Sequence, residues 1–335
     1  MGSAEVEAPA EVGTRRPEHG RRALARPRRR GAARGRYGLK QSLTAYGFLA
    51  PAVVLFAIFG VYTVAYGFLL SFNRWNGLSP EWTWVGLQNF KDLFDADPVL
   101  APRVRGAVGK TAIVMVALPL LVIAISLPIA VMLNSITRLR ATLRTLYFLP
   151  YVTAGVGVYY AWRFMYEPAG AVNALLRSVG LGSLAQADGF LGSTSTALPA
   201  TIAVLVWMTV PLGILLFLTG LQTIDESLFE AARVEGASAC TIVRRVVWPL
   251  LAPITALLIV ICLREALQNF QLFLLMTNGG PVDSTNVLGL QVYRLAFDRG
   301  NNNLGLASAL GWTLFALALA LSLLNLRIMR DRTRS

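Results

Sequence analysis

Six long apolar stretches dominate this sequence of 335 residues. A helix needs about 20 apolar residues to cross the hydrocarbon core of a membrane, and each of these stretches is about that long or longer. They cover residues 46–72, 111–133, 146–166, 198–221, 248–276 and 304–326. We therefore expect an all-α polytopic membrane protein with six transmembrane helices. Neighbouring helices accommodate proline within a membrane, so we expect kinks rather than breaks at the prolines in these stretches. These are Pro51, Pro119, Pro128, Pro211, Pro249 and Pro253.

The composition agrees with this interpretation. The chain is 55% hydrophobic and only 15% charged, which is too apolar for a soluble protein of this size. Its net charge of +13 is concentrated at one end, where residues 1–40 hold ten Arg and one Lys against four Glu. This segment has too few large apolar side chains to bury, so we expect a disordered tail. Aromatic residues do not alternate with its arginines, and we expect no nucleic-acid partner.

Positive charge in the connections predicts the orientation of the chain, because loops rich in Arg and Lys stay in the cytoplasm. The tail, the loop after the second stretch, the loop 223–245 and the C-terminal end all fall on one side. The loop after the second stretch contains Arg138, Arg140 and Arg144, and the C-terminal end contains Arg327, Arg330, Arg332 and Arg334. The sequence therefore predicts six crossings with both termini in the cytoplasm.

Enzymatic chemistry finds little support in these residues. Gly109-Lys110-Thr111 resembles the end of a phosphate-binding loop, but Val104 stands where that pattern needs Gly. The only histidine is His19 in the tail, which rules out a histidine-dependent triad or a histidine-ligated metal. The two cysteines, Cys240 and Cys262, are expected to be reduced thiols with packing roles. We expect no enzyme, no metal site and no cofactor.

Two charged segments interrupt this apolar pattern, and the first is the loop 223–248. Thr223 or Asp225 can cap a short helix, and Gly236 can end it by adopting the left-handed conformation. A second helical segment from Ser238 would return to the membrane. The sequence predicts a helix-turn-helix that projects into the cytoplasm, where it either docks a partner or lies as an amphipathic helix in the membrane interface.

The second polar segment lies inside the fifth stretch. Helical spacing places Arg264, Gln268 and Gln271 on one broad face with Glu265 and Asn269. Polar side chains are costly in a membrane and usually face a cavity or a partner. This face therefore lines a solute path or makes hydrogen bonds across an interface with another subunit.

A family resemblance decides between these alternatives for the loop. The run 230–237, Glu-Ala-Ala-Arg-Val-Glu-Gly-Ala, followed by Trp248-Pro249, resembles the Glu-Ala-Ala loop of permease subunits of binding-protein-dependent ABC importers, above all the sugar-type permeases. The stretches 84–90, 144–150 and 277–281 agree with it. Glu235 departs from the pattern, because the family usually has Asp at that place.

The resemblance implies a type I ABC importer permease core and an ATP-driven import function, with a sugar or sugar derivative as the solute. It implies four partners besides the lipid bilayer of a bacterial inner membrane: a second, non-identical permease, two ATP-binding cassette ATPase subunits, and an extracytoplasmic solute-binding protein. ATP hydrolysis would belong to the ATPase subunits. The implied organisation is a cytoplasmic tail (1–40), a first helix with an extracytoplasmic loop (41–106), the permease domain (107–327) and a short cytoplasmic tail (328–335).

The resemblance also implies roles for particular residues. The predicted ATPase-coupling residues are Glu230, Ala231, Ala232, Glu235, Gly236 and Ala237. On the solute path the resemblance points first to Asn269, which aligns with an amide that contacts sugar. The predicted path residues are Asn269, Gln268, Gln271, Phe270 and Phe273, the two phenylalanines as stacking platforms for a sugar ring. Trp207 and Tyr151 are weaker candidates.

The alternative function is an ion-coupled secondary transporter without an ATPase. Such a transporter needs an acidic residue in mid-membrane, and Glu265 is the candidate here. It also predicts inverted repeats, of which the sequence gives no sign, and it does not need a loop with the 230–237 pattern.

Overall fold

A computed structural model describes residues 39–135, 145, 147–149, 151, 153, 155–298 and 303–332. The predicted tail up to residue 38 and the arginines at 138, 140 and 144 lie outside this range. The chain forms two compact units that divide after Ala57. The described part of the first unit is helical, and all packing reported below lies within the second unit, residues 58–335.

The described chain is mostly helical. The first helical segments are α1 (Leu39–Phe56), a π-helical stretch (Ala57–Tyr62), α2 (Thr63–Leu70), α3 (Gln88–Lys91), a π-helical turn (Asp92–Ala96) and α4 (Leu100–Ser135). The middle segments are α5 (Val156–Met165), α6 (Ala171–Ser178), a 3₁₀ turn (Gly182–Leu184), α7 (Ala197–Leu221), α8 (Glu226–Val234) and α9 (Ala239–Ile242). The last are a π-helical turn (Val243–Val247), α10 (Trp248–Leu250), α11 (Ala252–Gln268), α12 (Phe270–Thr277), α13 (Leu288–Phe297) and α14 (Leu304–Arg332).

Four helical segments are long and apolar enough to cross a membrane. They are Tyr46–Leu70, Leu100–Asn134, Ala197–Leu221 and Leu304–Asn325, and they coincide with the first, second, fourth and sixth predicted stretches. Pro51, Pro119, Pro128 and Pro211 lie inside helices, as expected. The described residues therefore support a multi-pass membrane protein.

The fifth predicted stretch departs from expectation because it is broken rather than kinked. The helices Ala239–Leu250 and Ala252–Gln268 meet at Leu251 with a bend of 73°. Pro249 and Pro253 flank this point, and each lacks the N–H group that a continuous helix would use. A second interruption at Asn269 separates α11 from α12. If the bent pair is one crossing, the described chain has five candidate spans.

The third predicted stretch, 146–166, is only partly described. Its described helix, α5, has ten residues, which is too short to span the hydrocarbon core alone. Gly155 precedes it at φ +134°, a conformation that suits glycine.

The connection between α2 and α4 folds onto the start of α14. A two-residue antiparallel pair joins β1 (Asn73–Arg74) to β2 (Thr83–Trp84). Asn89 is fully buried there and donates to the carbonyl oxygens of Ser71 and Asn73, each at 2.9 Å. A Cβ on Gly305 would lie 2.0 Å from the Asn73 carbonyl oxygen, so only glycine allows this approach. The predicted motif 84–90 thus has a structural role.

Helix α4 connects the two ends of the helix bundle. Near its start, Arg103 pairs with Asp283 in the loop 278–287, with 3.8 Å between Nε and Oδ2. Asp283 also accepts from Arg294 at 3.0 Å. At its other end, Met132 and Asn134 line a cavity beside α8 and α9. The loop 278–287 and the α8–α9 region therefore lie at opposite ends of this helix.

Candidate functional site

Residues 225–242 form the predicted helix-turn-helix, which we call the helix-turn-helix element. Of the two proposed caps, Asp225 is the one used, because its side chain accepts from the Ser227 backbone N–H at 2.9 Å. This hydrogen bond, together with one from the Ser227 side chain, lowers the pKa of Asp225 below its ordinary value. Asp225 is therefore ionised at neutral pH and interacts favourably with the N-terminal end of α8.

The turn of the element has the geometry that the sequence predicts. Gly236 has a φ of +77°. Its N–H donates to Arg233 O and the N–H of Ala237 donates to Ala232 O, both at 3.0 Å. These two bonds make a Schellman motif, which satisfies carbonyl groups at the end of α8. Ser238 then caps α9 by accepting from the Thr241 backbone N–H at 3.3 Å.

The predicted coupling residues lie together on the outside of this element. Glu230, Ala231, Glu235 and Gly236 are exposed, while Ala232 and Ala237 are partly buried. Val234 beside the turn is 89% exposed. Within the described part of the chain, neither Glu230 nor Glu235 takes part in an ion pair. Two unpaired acids therefore flank small residues that allow close approach by another protein.

A cavity of about 560 Å³ lies between the inner side of the element and the end of α4. The lining includes Phe229 and Arg233 of α8, Val243 and Val247 after α9, and Asn134 of α4. Phe229 also packs against the hydrophobic core, so the element contacts the bundle beside this cavity.

A larger cavity, of about 860 Å³, lies among α5, α7, α11 and α14, and we call it the polar cavity. Its size is within the range of ligand pockets. Of the predicted path residues, it brings together Gln268 and Asn269, with Tyr151 as a third. The uncharged polar lining residues are Tyr151, Tyr159, Thr209, Gln268, Asn269 and Ser322.

Asn269 occupies the break between α11 and α12. Its Oδ1 accepts from the Leu272 backbone N–H at 3.4 Å, which caps α12. The Tyr159 hydroxyl donates to the same oxygen at 3.5 Å. Since Oδ1 has two donors already, the amide NH₂ group is the part of Asn269 that remains to contact a solute.

The charged residues of the fifth stretch also line the polar cavity, as a pair. Arg264 Nη2 donates to Glu265 Oε1 at 2.8 Å, with 65% of the Arg264 side chain and 27% of the Glu265 side chain exposed. Glu265 therefore has a cationic partner. Among the described residues that line this cavity, the ion-coupled alternative therefore has no unpaired acid.

The other predicted path residues do not line this cavity. Phe273 is fully buried in the hydrophobic core. The ring of Phe270 stacks on Tyr293 with 5.1 Å between centroids, and Gln271 is exposed elsewhere. Trp207 packs edge-to-face against Trp162, with 5.4 Å between the ring centroids.

Three lining residues, Tyr159, Thr209 and Ser322, were not predicted from the sequence. Each is a hydroxyl-bearing residue within an apolar run, which is a signal of a polar contact in the membrane. The sequence alone does not say which helix face turns toward a cavity, so this signal is insufficient.

The segment resembling a phosphate-binding loop has a structural role. Gly109, Lys110 and Thr111 lie within α4, where no loop can wrap a phosphate. Thr111 is buried, and its hydroxyl oxygen accepts from the Leu288 backbone N–H at the start of α13, at 2.9 Å. Cys240 is exposed and Cys262 is buried, and both are free thiols. The described residues contain no cluster of metal-ligating side chains.

Comparison with known proteins gives a consistent result. Residues 99–330 match the family described as binding-protein-dependent transport system inner membrane component. The multiple sugar-binding transport system permease protein MsmF of Streptococcus mutans is 30% identical over 285 residues, covering 84% of this chain and 94% of that protein. The sulfoquinovosyl glycerol transport system permease protein SmoG of Agrobacterium fabrum is 31% identical over 299 residues, covering 88% and 92%.

A third relative and a solved structure extend this comparison. The sn-glycerol-3-phosphate transport system permease protein UgpA of Brucella suis is 30% identical over 289 residues, covering 86% of this chain and 94% of that protein. A crystal structure of a bacterial ABC transporter involved in the import of the acidic polysaccharide alginate aligns with a TM-score of 0.71 at 24% identity, covering 87% and 96%. This similarity shows a shared fold.

Proposed function

Because this chain belongs to the family of binding-protein-dependent transport system inner membrane components, we propose that it is the permease subunit of an ABC importer for a sugar or sugar derivative. The family match over residues 99–330 carries the importer assignment. The names of the relatives, which transport sugars, a sugar glycerol conjugate or glycerol phosphate, support the solute class. The family is a membrane component rather than a catalytic subunit, so ATP hydrolysis belongs to separate ATPase subunits. The family assignment replaces the alternative of an ion-coupled transporter.

The proposed assembly contains this chain, a second and different permease, two ATPase subunits and an extracytoplasmic binding protein. The name of the family supports the binding protein. The segment Asn278-Gly279-Gly280-Pro281 resembles the first of the two permeases in such systems, which supports a non-identical partner. We place six crossings in the bacterial inner membrane, with both termini in the cytoplasm.

The helix-turn-helix element is the proposed contact with the ATPase. Its exposed acids, Glu230 and Glu235, are available to pair with cations, and the small residues beside them admit a close partner. The bonds around Gly236 hold the two helices at a fixed angle. Nucleotide-driven movement of the ATPase would shift this element and bias the permease between two states.

The polar cavity is the proposed solute path. Asn269 and Gln268 offer amide groups, which both donate and accept hydrogen bonds and therefore suit hydroxyl-rich solutes. We do not retain Phe270, Phe273 or Gln271 as path residues, because their side chains lie away from this cavity.

Co-purification tests the proposal. The chain is expressed with the proteins encoded beside it, and the complex is purified in detergent and assayed for ATP hydrolysis with and without the binding protein. In Glu230→Lys, charge reversal at an interface lowers the amount of co-purified ATPase by at least about tenfold. Gly236→Pro should have a similar effect, because proline cannot adopt a φ of +77°.

Glu81→Lys is the matched control, since Glu81 is exposed in the connection between α2 and α4. It makes the same charge change at the other end of the bundle and should leave co-purification unchanged. If wild type binds no ATPase, the importer proposal is wrong. If the ATPase co-purifies with wild type and equally well with Glu230→Lys, Gly236→Pro and Glu81→Lys, the element is not the contact.

A further inference from the structure

The polar cavity carries no net charge on the described residues that line it. Its charged lining residues are Arg264 and Glu265, which are joined at 2.8 Å. The remaining polar groups there are hydroxyls and amides, such as those of Tyr159 and Asn269. The cavity therefore offers a few uncharged hydrogen-bonding groups among apolar side chains, and no unpaired ion on these lining residues.

The absence of net charge on these lining residues affects which solutes can enter the polar cavity. An ion that leaves water for a membrane interior needs a partner of opposite charge, because the desolvation cost is otherwise large. The guanidinium of Arg264 is the cation in place for an anionic solute, but the neighbouring carboxylate of Glu265 compensates its charge. A neutral solute needs only hydrogen bonds, which the hydroxyls and amides supply.

We infer that this permease conducts an uncharged polyhydroxy solute rather than an anionic sugar derivative, and that Glu265 sets this preference by neutralising Arg264. The inference rests on the proposed function and narrows its solute class. It separates this chain from relatives whose names specify a phosphate ester or a sulfonated sugar. Glu265 thus acts on specificity through Arg264 as a positioning residue.

The first experiment compares solutes. The complete importer, with its own binding protein, is reconstituted in proteoliposomes that contain ATP. Uptake is measured for maltose, trehalose and raffinose as uncharged probes, and for glycerol 3-phosphate and glucuronate as anionic probes. We expect uptake of an uncharged sugar, with anion uptake at least about tenfold slower because of the desolvation cost. Uptake of an anion at a comparable or higher rate overturns the inference and leaves the importer assignment intact.

The second experiment is a double-mutant cycle on the pair. Arg264→Gln and Glu265→Gln each leave one uncompensated charge, and each should lower uptake of the uncharged sugar by about tenfold or more. The double variant Arg264→Gln/Glu265→Gln restores neutrality, and its uptake should return to within about threefold of wild type. Glu265→Asp keeps the charge and should also retain uptake.

Folding is checked separately through the yield of assembled complex and its size-exclusion profile, which should be equal in all variants. If the double variant imports as poorly as the single variants, or if the single variants import normally, charge compensation is not what the pair provides. If the wild-type complex neither hydrolyses ATP nor imports any probe, the proposed function itself fails.

Discussion

The side chain of Asn269 has a structural role at the start of α12 and a proposed role in solute contact. Its oxygen caps α12 and accepts from Tyr159, while its NH₂ group faces no acceptor among the described residues. A substitution that keeps an oxygen but removes the NH₂ group separates the two roles. Serine does this, because its hydroxyl is a good N-cap.

We predict that Asn269→Ser keeps the complex assembled but lowers solute uptake by about tenfold, the value of one lost hydrogen bond to a solute. The measurement is uptake into proteoliposomes, with size-exclusion profiles as the check on assembly. Gln271→Ala, two residues along and away from the cavity, should leave uptake unchanged. Equal losses in both variants would contradict the placement of Asn269 on the path.

For single residues, the sequence predicts which side chains are polar better than it predicts which way they face. Polar residues within an apolar stretch pointed to Gln268, Asn269 and the charged pair, all of which line the polar cavity. Phe270 and Phe273 were predicted as stacking platforms for a sugar ring, and in the structure their rings pack against Tyr293 and into the core. Which face of a helix meets a cavity depends on its neighbours, and the local sequence does not contain that information.

At the scale of elements, close approach between helices explains why α7 carries Gly213. A Cβ at this position would lie 2.7 Å from Ser126 Oγ of α4 and 3.3 Å from Leu258 Cδ2 of α11. Small residues commonly allow such approach in membranes. The position therefore joins three helices of the bundle.

We predict that Gly213→Val destabilises the protein by about 1–3 kcal/mol, because it overpacks this contact. The apparent melting temperature in detergent provides the measurement. Gly109→Val is the control, since Gly109 lies in α4 and a Cβ added there would meet no neighbouring atom within 4 Å. A similar loss at both positions would show that helix propensity, rather than packing, determines the result.

The helix-turn-helix element and the fifth stretch differ in how far the sequence predicts where their helices break. The Gly236 turn and a cap at Thr223 or Asp225 follow local rules and were predicted from the sequence, as was a second helix that begins near Ser238. The 73° bend at Leu251 lies between two prolines whose effect ranges from a slight kink to a full break. Packing against neighbouring helices determines the bend angle within that range, so the local sequence does not predict the angle.

At the scale of the whole molecule, the two native cysteines report orientation. Cys240 is exposed in the helix-turn-helix element, and Cys262 is buried in α11. If the element is cytoplasmic, a membrane-impermeant maleimide should label Cys240 in inverted vesicles but not in intact spheroplasts. Co-expressed ATPase should slow this labelling, because it would cover the element.

Cys240→Ser is the control for this measurement, and it should abolish labelling, since Cys262 is inaccessible in the folded protein. Mass spectrometry of the labelled chain identifies the modified residue. Labelling of Cys240 in intact spheroplasts would reverse the proposed orientation.

Helix α4 joins the end of the molecule at Asp283 to the helix-turn-helix element, and its length has a mechanical consequence. Its 36 residues extend about 54 Å at 1.5 Å per residue. A rotation of about 10° around its middle moves each end by about 5 Å in opposite directions, by simple geometry on that length. Pro119 and Pro128 both lie in its second half, where missing backbone hydrogen bonds soften it. Helix α4 is therefore stiffer beside Arg103 than in its second half, which leads to the helix-turn-helix element.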